Sequence, residues 1–117
     1  MKEESDIKTF LLKEQLFDLF KSQLKKDFEG AGLNGDFADA LPADFTLLCK
    51  ELEQQLVSLS KKSSSALSSL LYRIDINERQ LNSYQLKQRQ ESFEKVLAEV
   101  IVKRILQKVI LRKKFGS

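Results

Sequence analysis

The chain has no histidine, no tryptophan, one cysteine, one proline and four glycines in 117 residues. Without histidine, general acid–base work would fall to Asp, Glu, Lys or Tyr. No pair of carboxylates is marked out on a common face, so an enzyme is not expected. Cys49 is alone, which excludes an intrachain disulfide and any His/Cys zinc site built from one chain. Asp36, Asp39 and Asp44 lack the spacing of a calcium loop. Neither a metal nor a cofactor is therefore expected. No stretch approaches the ~20 apolar residues that span a bilayer. The most apolar part, 96–111, is interrupted by Glu99, Lys103, Arg104, Gln107 and Lys108. The start, "MKEESDIK", carries no apolar signal segment, and together with the lone cysteine this favours a reducing, cytoplasmic setting.

Good helix formers are plentiful: Leu, Lys, Gln and Glu dominate. With 42% hydrophobic and 32% charged residues, the composition is that of an ordered domain. The length suits a single unit, 1–117, large enough to bury a core without staples. Charge is unevenly spread. Residues 1–60 hold 7 Lys/Arg against 12 Asp/Glu, and residues 61–117 hold 13 against 5. That asymmetry suits either a surface for an acidic partner or two halves that attract each other.

Apolar residues at Phe10, Leu16, Phe17, Phe20, Leu24 and Phe28 recur at helical spacing and predict a helix over about 6–28. Ser5 or Asp6 would cap it, Lys25 and Lys26 would sit in its last turn, and Gly30 and Gly32 would end it. The acidic connector "EGAGLNGDFADAL" follows, with Leu33, Phe37 and Leu41 expected to fold back on the helices. Its G-x-G-x-x-G lacks the preceding strand of a dinucleotide fingerprint, so it reads as a helix stop and an Asn34-Gly35 turn. Pro42 at a first helical position opens a second helix, with Asp44 in its first turn. The stripe Phe45, Leu48, Leu52, Leu56 and Leu59 resumes in phase at Ala66, Leu70 and Ile74. One helix over about 42–73 is expected, bent near Ser63. Asp75 with Glu78 reads as a capping box for a short helix near 76–84. A last helix follows over about 90–114, supported by the pairs Glu91–Lys95 and Glu99–Lys103. The fold class is all-α: an antiparallel bundle of three long helices and one short one.

The last helix is apolar nearly all the way round, which marks a buried helix. Only Lys95, Glu99, Lys103 and Gln107 form a polar stripe. Either the rest of the chain covers both faces or a second copy covers one. The expectation from this pattern is a small interaction or scaffold protein that self-associates, as a homodimer, or binds another protein. Val102, Leu106, Val109 and Ile110 are the expected contacts. The alternative is a nucleic-acid binder using the basic patch Lys103, Arg104, Lys108, Arg112, Lys113 and Lys114. Against it, Phe115 is the only aromatic in 103–117, so no stacking platform exists. The row Arg104, Lys108 and Arg112 repels itself at spacing four and calls for acids. Asp18, Asp36, Asp39, Glu51 and Glu53 are the expected internal partners. Cys49, beside Leu48, reads as an inert core thiol.

Overall fold

A computed structural model describes residues 14–87 and 90–114. The described residues form five α-helices and one 3-10 turn, and contain no strand. The helices are α1 (Glu14–Gly30), α2 (Phe45–Lys62), α3 (Ser64–Ile74), α4 (Glu78–Lys87) and α5 (Phe93–Lys114), with the 3-10 turn at Asp36–Ala40 between α1 and α2. The fold is all-α. The expected first turns of the first helix, with Ser5, Asp6 and Phe10, lie outside the described residues.

Helix α1 buries Leu16, Phe17, Phe20, Leu24 and Phe28. Gly30 is still helical, so Lys25 and Lys26 fall before the last turn. The stop comes two residues later, where Gly32 takes φ +80°. The Gly32 N–H donates to the Glu29 carbonyl at 3.0 Å and the Leu33 N–H to the Phe28 carbonyl at 2.9 Å, which is a Schellman closure. Nothing lies within 4 Å of a Cβ built on Gly32, so its backbone angle alone demands glycine. Gly32→Ala should cost about 1–2 kcal/mol, read as a lower unfolding midpoint in urea. The connector then folds back: Leu41 is buried, and the Phe37 ring meets the Phe28 ring edge-on at 4.8 Å.

Helix α2 starts at Phe45, not at Pro42. Asp44 is its cap, and the carboxylate accepts the Leu47 N–H at 3.0 Å. The single helix expected over 42–73 is two helices. Ser63 adopts an extended conformation between them and serves both. Its N–H donates to the Leu59 carbonyl at 3.0 Å, ending α2. Its Oγ accepts the Ala66 N–H at 3.2 Å, starting α3. Serine offers the backbone an alternative to the helical bond, and here the alternative wins. An unbroken helix would measure roughly 47 Å, longer than any axis of a body of 35 × 32 × 25 Å.

Asp75 does not cap the next helix. It closes α3 in the left-handed conformation, φ 69° and ψ 50°, which Asp tolerates better than most residues. The Ile76 N–H reaches the Leu71 carbonyl at 3.0 Å, a second Schellman closure. Helix α4 accordingly runs over 78–87 in place of 76–84. Helix α5 starts three residues later than expected, after Ser92, whose Oγ accepts the Lys95 N–H at 3.2 Å. Glu91 and Lys95 pair at 2.9 Å.

The apolar girth of α5 has a direct explanation. This helix packs against all four others, most extensively α2, then α1 and α4, and finally α3. Val96, Leu97, Ala98, Ile101, Val102 and Ile105 have no exposed surface. Breaking the second helix at Ser63 and turning again at Asp75 supplies the walls that three long helices could not.

Candidate functional site

The residues expected to form an interface lie inside the chain. Val102 is fully buried, Leu106 and Val109 are 3% exposed, and Ile110 is half-buried. A second copy could reach the first three only if the helices around α5 opened.

Two members of the basic row, Arg104 and Lys108, are answered internally, though not by the acids expected. Arg104 Nη2 donates to Asp75 Oδ2 at 3.0 Å, and Nη1 donates to Gln107 Oε1 at 2.9 Å. Lys108 Nζ donates to the Arg73 carbonyl at 3.3 Å and lies 3.6 Å from Asp27 Oδ2. Asp36 and Asp39 instead hold Lys25, and Asp18 holds Lys21. The hydrogen bond from Lys25 to Asp39 raises the lysine pKa above its ordinary value. Lys103 is half-buried and Arg112 is exposed. The side chains of Lys113 and Lys114 lie outside the described set. Of the cations offered to phosphate, Arg104 and Lys108 are thus engaged by acids of the chain itself.

Asp27 is the residue that the sequence reading missed. It follows Leu24 by three positions, and Gln23 follows Phe20 by three, so both sit on the buried side of α1. Asp27 is 3% exposed and Gln23 is 9%. Gln23 Nε2 donates to Asp27 Oδ1 at 3.0 Å. Arg73 Nε lies 3.9 Å from the same oxygen, within ion-pair range but too far for a hydrogen bond. Two acceptors are left over at this point. Gln23 Oε1 and Asp27 Oδ2 are buried with no hydrogen-bond partner. The sequence did hold a signal: a carboxylate on an apolar face requires a cation from another element.

These side chains form the floor of an open groove of about 950 Å3. Gln23, Asp27 and Gly30 come from α1, Ser68, Ser69, Tyr72 and Arg73 from α3, and Lys108 from α5. Tyr72 stands at the rim, 88% exposed. The Arg73 side chain crosses Gly30 so closely that a Cβ there would overlap its guanidinium. The groove holds two cations and one carboxylate, an excess of one positive charge. Among the described residues the terminal nitrogens of Arg73 have no partner.

A second cleft of about 460 Å3 lies between α2 and α5, lined by Phe45, Thr46, Cys49, Lys50, Glu53, Lys95 and Glu99. Burial first, and Glu99 second, push the Cys49 thiol up to about 12. At pH 8 it holds roughly a thousandth of the thiolate of an ordinary cysteine, so a thiol reagent should label the native protein far more slowly than the unfolded chain. Only the unfolded chain ionises Cys49 readily. Stability should therefore fall as pH rises from about 9 towards 12, and the fall should be smaller in Cys49→Ala. Chemical denaturation at successive pH values measures both.

Among the described residues, no group of three His, Cys, Asp or Glu is placed to hold a metal ion. Among them, no helix is long and apolar enough to cross a membrane. Comparison with known proteins finds no family model, no curated protein and no solved structure that matches the chain.

Proposed function

We propose that this protein is a non-enzymatic helical interaction module that engages another protein at the groove between α1, α3 and α5. The observation that carries the reading is Tyr72, 88% exposed, directly beside an arginine whose terminal nitrogens have no partner among the described residues. Tyr and Arg are the residue types over-represented where binding energy concentrates. The Arg73 stem is anchored over Gly30 and next to Asp27, so less side-chain freedom is lost on binding. Selection from a random peptide display library tests this. Wild type should enrich a defined peptide set and Tyr72→Ser should not; no enrichment by wild type would sink the reading.

Self-association through the C-terminal helix is a narrower form of the proposal. Its contacts would come from Ile110, Leu111 and Arg112, because Leu111 is 46% exposed while Val102, Leu106 and Val109 are covered. Sedimentation velocity at ~0.15 M salt reads it directly, since exposed charges are then screened beyond ~8 Å. A cytoplasmic setting belongs to the same proposal and rests on a single, buried, free thiol.

A further inference from the structure

We infer that the groove recognises a peptide C-terminus, a neutral amide N–H one carbon away from a carboxylate; this rests on the reading of the protein as an interaction module. Three features of the groove select that chemistry. The first is charge. Among the described residues that line the groove, Arg73 and Lys108 meet one carboxylate, Asp27, so one added negative charge brings that lining to neutrality. A phosphate carries about −1.5 to −2 at neutral pH and would overshoot.

The second is the pair of orphaned acceptors. Gln23 Oε1 and Asp27 Oδ2 are buried and accept no hydrogen bond, on residues 9% and 3% exposed, Oδ2 having only the long ion pair to Lys108. Such atoms require hydrogen-bond donors. A cationic donor is disfavoured beside Lys108 and Arg73, and a phosphate brings no amide donor. A neutral N–H meets the need without adding positive charge. Lys108 Nζ stands 3.6 Å from Oδ2, beyond hydrogen-bond range. Oδ2 itself is buried, so the Lys108 side chain must swing towards the incoming carboxylate before the ligand N–H can reach it.

The third is geometry. The free end of the Arg73 guanidinium is a planar fork suited to two carboxylate oxygens. The hydroxyls of Ser68 and Ser69 line the same groove, and Tyr72 offers a flat face for the residues preceding the terminus. Gly30 belongs to the same device, because its missing Cβ lets Arg73 lie across α1.

The test uses the whole chain, 15N-labelled, titrated with N-acetyl-tetraalanine as the free acid and as the C-terminal amide, and with inorganic phosphate. The free acid should move the amide resonances of Ser68, Ser69 and Arg73 saturably, with a dissociation constant of roughly a millimolar. Amidation of the peptide, or Arg73→Gln, should weaken binding at least about tenfold. Gly30→Ala should weaken it as well, because its Cβ would displace the Arg73 guanidinium, while the far-UV circular dichroism spectrum stays that of the wild type. Equal binding of acid and amide, equal binding of phosphate, or no saturable shift would overturn the inference. Display-selected peptides that depend on Tyr72 but tolerate C-terminal amidation would overturn it too and leave the module reading standing. A selection that yields no peptide removes the module reading itself.

Discussion

Leu106→Glu combined with Val109→Glu should unfold the protein. Both side chains are 3% exposed, on the helix that all the others touch. Each substitution forfeits about 1.5–3 kcal/mol of apolar burial. Each also places a carboxylate where the effective desolvation cost is several kcal/mol. The pair together is comparable to the ~5–15 kcal/mol that holds a typical domain. Circular dichroism should show loss of helix at 25 °C. Leu111→Glu is the control, because Leu111 is 46% exposed; it should shift stability by no more than about 0.5 kcal/mol. A double variant that keeps full helicity and merely changes mass from two copies to one would make α5 an interface and contradict the packing described here.

Lys108→Ala should destabilise by about 2–3 kcal/mol, and the loss should depend on Asp27. The Asp27 carboxylate is 4% exposed and the lysine 22%, so the pair is little screened by solvent. Removing the cation leaves a buried charge faced only by Arg73, at 3.9 Å. Breaking a fully buried pair costs about 3–5 kcal/mol; the long 3.6 Å contact and the surviving arginine place this one lower. Asp27→Leu combined with Lys108→Leu should regain most of the loss, because replacing both partners strands neither. Urea unfolding of Asp27→Leu, Lys108→Leu and their combination gives the coupling directly. Additive losses would mean that the two groups do not interact.

Much of this was legible in the chain. The stripes of α1 and α2, the all-round apolar pattern of α5 and the connector that folds back on α1 all follow from spacing alone. The break at Ser63 did not, because the apolar stripe continues in phase through it. Only the competition between the Ser63 side chain and a helical bond, together with the limited length of the body, decides against one long helix. Asp75 misled for a related reason. An Asp three residues before a Glu looks like an N-cap, yet here it ends the preceding helix, and its carboxylate is claimed by Arg104 from 29 positions away. The groove was hidden because its charges come from α1, α3 and α5. No window of sequence contains Asp27, Arg73 and Lys108 together.

The place of α5 in the chain has a consequence for biosynthesis. The helix that every other helix needs is translated after all of them. A nascent chain that has reached residue 92 lacks the helix against which α1, α2, α3 and α4 all pack. Folding from the N-terminus as the chain is made, the ordinary route for larger proteins, here proceeds without the element that contacts every other helix. Completion of the core waits until 93–114 has left the ribosome, and until then apolar surface that α5 later covers stays exposed.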